Sequence, residues 1–299
     1  MRRRFATLDV FTDRRFAGNP LAVVLDPQGL DTAAMQAIAR EFGHPETVFV
    51  FPPREPAHRA AVRIFTPFAE LPFAGHPTVG TAVLLGRLDG GGEERTLVLE
   101  EGIGPVRCRT ALSGPDGGRA SFDLPRLPAE AGTAPPGEAI AAALGLERGD
   151  IGFGDFAPAA WSAGNPQCFV PISSRAAIGR ARPDAARFDQ TFAIGGRAIA
   201  YLYCGEVSEP GHDFHARMFA PGLGVPEDPA TGSAAAAFAG LLATQGRYGD
   251  GDHAVMIEQG YEMGRPSLME LSFTMRGGAL ASASVGGGAV VVTEGTIEA

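Results

Sequence analysis

Two short segments concentrate the residues able to do chemistry: Glu70-Leu71-Pro72-Phe73-Ala74-Gly75-His76-Pro77-Thr78 and Glu227-Asp228-Pro229-Ala230-Thr231-Gly232-Ser233. Each combines an acidic residue, a proline, a glycine and a hydroxyl. Each runs into an apolar stretch, Thr78 to Leu88 and Ala234 to Thr244. Stretches that are apolar on nearly every side are expected as buried helices, and Pro77 suits a first turn. A first helical turn leaves backbone N–H groups unbonded at the positive end of the dipole, so a glycine-rich one attracts an anion. The expected ligand is therefore a small molecule bearing a carboxylate. If the halves face each other, the turns at Gly75 to Thr78 and Thr231 to Ser233 meet in one cleft, with His76 and Asp228 beside the bound acid. Each of these residues also has a bland role. Asp228 and Ser233 suit helix caps, and His76 suits a backbone bond at a helix entry.

The elements that would position these turns are short. Strands are expected over Phe5 to Val10, Leu21 to Leu25, Thr47 to Phe51 and Ala60 to Phe65. Asp31 caps a helix whose Met35, Ile38, Ala39 and Phe42 recur at helical spacing, and Gly43 ends it. The glycine-rich Asp89 to Gly92 closes the first apolar helix, and Thr96 to Leu99 with Gly104 to Thr110 form a hairpin. Pro125 to Pro136, rich in Pro, Ala and Gly, reads as a linker. A short helix near Glu138 to Leu146 and a strand over Phe214 to Phe219 follow, and Ala281 to Ile297 carries a final strand around Ala289 to Val292. Two buried helices opened by similar turns suggest an internal duplication. Short strands around one apolar helix per half make an α+β arrangement rather than a doubly wound sheet.

Composition narrows the chemistry. The 299 residues allow two domains of about 150 residues each. A net charge of −9 disfavours a phosphate-backbone partner. The 25 basic residues are all Arg, so Schiff-base catalysis and a lysine-bearing P-loop are excluded. There is also no glycine-rich dinucleotide fingerprint after a strand. Cys108, Cys168 and Cys204 form no Cys-x-x-Cys pair, which fits a reducing, cytoplasmic setting. No apolar run reaches the roughly 18 to 20 residues that span a bilayer. His212 and His215 flank Asp213 in a turn leading into a strand, a poor setting for a metal pair.

A family resemblance rests on several of these segments. Arg63-Ile64-Phe65-Thr66-Pro67, the following Glu70 to Thr78, and Glu227 to Ala234 resemble the signature of the phenazine-biosynthesis PhzF family. Asp9-Val10-Phe11, Phe16-Ala17-Gly18-Asn19-Pro20, Arg217-Met218-Phe219-Ala220-Pro221, Gln259-Gly260 and Gly264-Arg265-Pro266-Ser267 match as well. The resemblance spans nearly the whole chain and is loose from about Ala111 to Val207. It implies an α+β fold of the diaminopimelate epimerase type, in which two pseudo-symmetric halves each wrap a barrel-like sheet around a central apolar helix. The expected halves are 1–124, completed by about 280–299, and 125–279.

Function follows from the same resemblance. In diaminopimelate epimerase and proline racemase, two cysteines act at the helix mouths, and neither mouth here holds one. The resemblance implies instead a cofactor-independent, metal-independent isomerase working by acid/base proton transfer. The match His44-Pro45-Glu46-Thr47 places the proton-carrying group on Glu46. His76, Asp228 and Ser233 would hold or protonate the substrate, with Asn19, Gly75, Thr78, Thr231 and Gly232 as further binding residues. A glutamate desolvated beside Val48 and Phe49 would have a raised pKa suited to taking and returning one proton, although outside this motif Glu46 reads as a solvated carboxylate at a strand start. Homodimers are common in the family and among soluble enzymes. Two rival functions stand: an epimerase or racemase with Asp228 as the second acid/base, and a non-catalytic small-molecule or protein-binding member of the fold.

Overall fold

The computed structural model describes residues 1–90 and 94–299. Of the turn read at Asp89 to Gly92, Gly91 and Gly92 lie outside the described residues. The chain divides into two compact units, Met1–Asp123 with Gly286–Ala299, and Leu124–Val285.

Unit 1 contains β1 (Arg2–Val10), β2 (Asn19–Val24), α1 (Thr32–Phe42), β3 (Glu46–Phe51), β4 (Ala60–Phe65), β5 (Glu70–Leu71), α2 (Gly75–Leu88), β6 (Arg95–Glu101), β7 (Gly104–Leu112) and β8 (Gly117–Asp123). It also takes the end of the chain's last strand, Ala279–Glu298, which returns antiparallel along β1 from Val10↔Ala289 to Arg2↔Glu298. Pairing runs β1, β2, β3, β4, β6, β7, β8, last strand and back to β1, a closed ring of 8 strands. The β2–β3 and β4–β6 pairs are parallel. Closure removes the free edges that an open sheet would expose.

The ring encloses α2, whose residues Gly75 to Gly86 are all buried and which packs on β1, β2, β3, β6, β7 and β8. Burial on every side is why its sequence carries no polar stripe. Outside the ring, Met35 and Ala39 of α1 lie on Val24, Phe49 and Phe65. Asp31 Oδ1 accepts the Ala34 N–H at 2.8 Å, and Gly43 ends α1 at φ 62°, so both expected helix stops operate.

Unit 2 contains β9 (Ala129–Glu130), α3 (Gly137–Leu144), β10 (Ala159–Ser162), β11 (Pro166–Pro171), α4 (Arg175–Arg180), α5 (Ala185–Phe192), β12 (Ala193–Ile194), β13 (Arg197–Ala198), β14 (Ala200–Cys204), β15 (Phe214–Ala220), β16 (Val225–Asp228), α6 (Gly232–Ala243), β17 (Gly251–Gln259) and β18 (Ser267–Arg276), with the last strand, β19, beginning at Ala279. The stretch read as a linker thus carries β9, which pairs with β10. Helix α6 packs on β9, β10, β11 and β18. Its Phe238 meets Phe169, Tyr203 and Phe214 at ring separations of 5.6, 4.8 and 5.1 Å.

Gly240 lets Trp161 approach α6: a Cβ there would stand 2.4 Å from Trp161 Cε3 and 3.0 Å from Pro128 Cγ. Gly240→Ala is expected to lose about 1–2 kcal/mol net. Overpacking against a buried ring costs about 1–3 kcal/mol, which outweighs a helix-propensity gain of up to about 1 kcal/mol. Denaturant titration followed by emission of Trp161, the chain's single tryptophan, measures it. A stability equal to or above wild type would contradict the close packing.

The units repeat one plan. The parallel pairs β11–β14 and β15–β17 answer β2–β3 and β4–β6. Glu70 accepts a two-point bond from Arg63, at 2.7 and 2.6 Å, and Glu227 one from Arg217, at 2.8 Å for both contacts. Each guanidinium also lies over the ring two residues on, Phe65 or Phe219. Glu100 accepts the Arg54 and Glu55 N–H groups and meets His58, while Glu258 accepts those of Ser208 and Glu209 and meets His212. His215 is fully buried against Glu258 at 2.6 Å and Glu262 at 2.9 Å, so carboxylates surround the histidines considered for a metal pair. Among the described residues no His, Cys, Asp and Glu group is arranged to hold a metal ion. No helix among them is long and apolar enough to cross a membrane.

Candidate active site

In unit 1 the first turn of α2 meets the starts of β2 and β3. Glu46 opens β3 in parallel register with Leu21 of β2, and Asn19 is fully buried at the start of β2. His76 Nε2 lies 3.3 Å from Glu46 Oε2, the imidazole 6% exposed and the carboxyl 17%. Burial depresses the His76 pKa to about 3; a bond to the Pro20 carbonyl opposes this and His44 adds to it. The ring is therefore neutral at pH 7, and the contact is no ion pair despite its short distance. Since Nε2 makes no hydrogen bond, the Pro20 carbonyl accepts from Nδ1–H. Nε2 then points a lone pair toward the Glu46 carboxyl. Two oxygen and nitrogen lone pairs at this separation are satisfied by one proton between them.

Thr78 has a partner that was not foreseen from the sequence. Its hydroxyl lies 2.7 Å from the Ala74 carbonyl and 2.8 Å from Glu101 Oε1. Burial raises the Glu101 pKa to about 8, partly offset by the Thr78 bond. At neutral pH the carboxyl is protonated. One hydroxyl proton serves two neighbouring oxygens here, so Glu101 donates to Thr78 Oγ1 and Thr78 donates on to Ala74. The Thr78 hydroxyl is thereby committed to the turn, and the first-turn N–H groups of Gly75 and His76 stay unused within the helix.

In unit 2 Asp228 ends β16 and its Oδ2 accepts the Thr231 hydroxyl at 2.6 Å. Gln259, fully buried, ties this turn down: Nε2 donates to the Asp228 carbonyl at 2.7 Å and to Thr231 Oγ1 at 3.0 Å, and Oε1 accepts from Thr231 N at 3.3 Å. Helix α6 then begins at Gly232, and Gln167 Nε2 donates to Ser233 Oγ at 3.1 Å. Asn19, Glu46, Gly75, His76 and Thr78 thus gather at the mouth of α2. Asp228, Thr231, Gly232 and Ser233 gather at the mouth of α6. The mouths differ in polarity: α2 presents an imidazole lone pair beside a carboxyl, α6 a serine hydroxyl whose own proton is free to be donated.

Three contributors, Glu101, Gln167 and Gln259, were not singled out for the site from the sequence. An internal alignment contains the missing signal. Glu55-Pro56-Ala57-His58 and Arg63-Ile64-Phe65 recur with the same spacing as Glu209-Pro210-Gly211-His212 and Arg217-Met218-Phe219. Glu100-Glu101-Gly102 answers Glu258-Gln259-Gly260, and Gly18-Asn19-Pro20-Leu21 answers Gly164-Asn165-Pro166-Gln167.

A closed ring around a buried helix, a second unit on the same plan, and a carboxyl–imidazole pair at one helix mouth define an α+β protein of the epimerase-like class, with no thiol at either mouth. The chain belongs to the PhzC-PhzF family, described as phenazine biosynthesis-like protein, whose model matches residues 8–295. It is similar to a Mesorhizobium japonicum protein named as an isomerase, 50% identical over 299 residues and covering 99% of this chain and 98% of the relative. It is also 34% identical over 295 residues to the trans-2,3-dihydro-3-hydroxyanthranilate isomerase of Pseudomonas chlororaphis, covering 98% of each. Among solved structures, a PhzF-family phenazine biosynthesis protein of Bacillus anthracis superposes with a TM-score of 0.89 at 26% identity, covering 100% of both chains.

Proposed function

We propose that this chain is an isomerase of a small carboxylate-bearing metabolite, needing neither cofactor nor metal, in which Glu46 carries the proton. The observation that carries the proposal is the 3.3 Å approach of Glu46 Oε2 to the lone pair of a neutral His76. Glu46 removes a proton from a substrate carbon, the electron pair delocalises into the adjoining unsaturation, and the Glu46 carboxyl, its proton exchanging with solvent, delivers a proton at another carbon. His76 accepts a hydrogen bond from the protonated Glu46 and so keeps the carboxyl oriented between the two steps. The N–H groups opening α2 beside Glu46 suit the substrate's anionic charge.

Relatives that carry isomerase names support the reaction class, and the hydroxyanthranilate-type substrate of one of them supplies the first compound to test. The absence of cysteine at either mouth disfavours two-thiol racemisation. Three buried free cysteines and an acidic surface suit a protein of the cytoplasm, and we extend the proposal to that location and to a homodimer. Incubation with trans-2,3-dihydro-3-hydroxyanthranilate and a panel of cyclic amino carboxylic acids, followed by proton NMR, tests the function. Isomerised product from at least one is expected. A folded protein that converts none of them contradicts it.

A further inference from the structure

Behind the mouth of α2 a carboxyl, a hydroxyl and a carbonyl stand in a row. Glu101 ends β6 with its side chain buried; its Oε1 lies 2.8 Å from Thr78 Oγ1, which lies 2.7 Å from the Ala74 carbonyl. The same carbonyl accepts the Thr78 N–H at 3.2 Å. Ala74 C=O and Gly75 N–H belong to one planar peptide unit, so whatever holds the first aims the second. The Gly75 N–H is in turn one of those that open α2.

The direction of the Thr78 hydroxyl depends on Glu101. Protonated, Glu101 donates to Thr78 Oγ1 and the hydroxyl donates on to Ala74. Ionised, Glu101 has no proton to give and takes the hydroxyl for itself, leaving the Ala74 carbonyl with the Thr78 N–H alone. The surroundings favour the first arrangement, since Glu101 Oε2 is buried and has no hydrogen-bond partner among the described residues, a poor setting for an anion. Gln259 stands at the same place in unit 2, and its Nε2 gives a proton to the Thr231 hydroxyl whatever the pH. Unit 1 has there a donor that can be withdrawn. The other groups facing this corner are engaged or silent near neutral pH. Burial keeps His76 of α2 neutral and pushes the Cys108 thiol of β7 up. Arg109 of β7 pairs with Asp123 of β8, Glu70 of β5 with Arg63 of β4, and Glu100 with the Arg54 and Glu55 N–H groups and His58.

We propose that Glu101 is a positioning residue: protonated, it drives the Thr78 hydroxyl onto the Ala74 carbonyl and so aims the Gly75 N–H at a bound anion, and ionised, it releases that peptide and sets a negative charge behind it. Affinity for an anion at the mouth of α2 therefore falls as the pH rises through the ionisation of Glu101. This deepens the isomerase reading and rests on it for the anion's place beside Glu46. Glu101 itself touches no reacting atom.

Binding measured apart from turnover tests it. Isothermal titration with benzoate, which is ionised throughout, runs from pH 6 to 9 on wild type, Glu101→Gln and Thr78→Val, and the Gly75 amide is followed by nitrogen-15 NMR over the same range. Burial raises the Glu101 pKa to about 8, so its protonated fraction falls from nearly all at pH 6 to about a tenth at pH 9. Wild type is expected to bind benzoate about 5- to 10-fold more weakly at pH 9 than at pH 6, with the Gly75 amide shifting at the same midpoint. In Glu101→Gln the affinity should hold within about 2-fold across the range, and in Thr78→Val it should be low at both ends. Thr78→Ser, which keeps the hydroxyl, should restore the pH dependence and covers the case in which the valine variant folds poorly. A pH dependence that survives in Glu101→Gln, a wild-type affinity that does not change, or no saturable binding of benzoate overturns the proposal. So does a wild-type Gly75 amide that ignores the pH, since Glu101 would then not act through the turn. The isomerase reading fails separately, if binding follows the pH as expected and no carboxylic acid is turned over.

Discussion

Glu46→Gln is expected to lower kcat by about 10²- to 10⁴-fold on whichever carboxylic acid the wild type isomerises, the range general acid/base catalysis typically supplies. The amide keeps the shape of the carboxyl and a polar group near His76, so folding and KM should change little. A fall in kcat with constant KM marks an interaction made mainly in the transition state. The neighbouring imidazole cannot take over as a strong base, because burial holds its pKa near 3 and its Nδ1 proton is engaged by Pro20. Steady-state kinetics with thermal melting as a folding control decide it. Activity within about tenfold of wild type, in a folded variant, means that another group moves the proton.

Glu101→Gln is expected to raise stability by on the order of 3 kcal/mol at pH 7. The sign follows from linkage. The folded-state pKa is raised to about 8 by burial, against 4.5 for the exposed group, so the native state binds a proton that the unfolded chain releases. Below about pH 4.5 both states are protonated and the carboxyl costs nothing extra. As pH climbs from there toward 8 the unfolded state gains by ionising, and native stability is lost at about 1.4 kcal/mol per pH unit. A glutamine stays neutral throughout and can still donate to Thr78. Gln259 shows that this fits the plan, since it ends its strand before a glycine as Glu101 does and gives its Nε2 proton to Thr231. Gly102 and Gly260, the glycines concerned, both lie where a Cβ would strike proline, Pro72 or Pro229. Denaturant titrations of both proteins from pH 5 to 8 should diverge with rising pH. Parallel curves would mean that Glu101 ionises normally in the folded protein.

Much of this arrangement was legible in the chain. The two apolar helices announced themselves because burial on all sides removes the polar stripe, and Asp31 and Gly43 bounded α1 by ordinary capping chemistry. Glu46 and His76 were reached by motif, and their approach across the mouth of α2 depends on the parallel pairing of β2 with β3, a non-local contact that no local spacing encodes. Gln167, Gln259 and Glu101 escaped for a related reason. Each is a polar residue at or next to the end of a strand, ordinary in isolation and informative only against its partner in the repeat: Leu21 for Gln167, and Gln259 and Glu101 for each other. The hydroxyls of Thr78 and Thr231, two of the residues read as substrate-binding, are engaged by Glu101 and by Asp228 and Gln259, because a turn packed this closely uses its side chains to satisfy itself.

Proton transfer at Glu46 is tested most directly by exchange with solvent. Wild type and Glu46→Gln are incubated in heavy water with trans-2,3-dihydro-3-hydroxyanthranilate and the amino carboxylic acid panel, and carbon-bound deuterium is followed by NMR. Deuterium entering at carbon with wild type and absent with Glu46→Gln is the expected result. Exchange that persists undiminished in the variant, or no exchange in any compound with folded wild type, contradicts it.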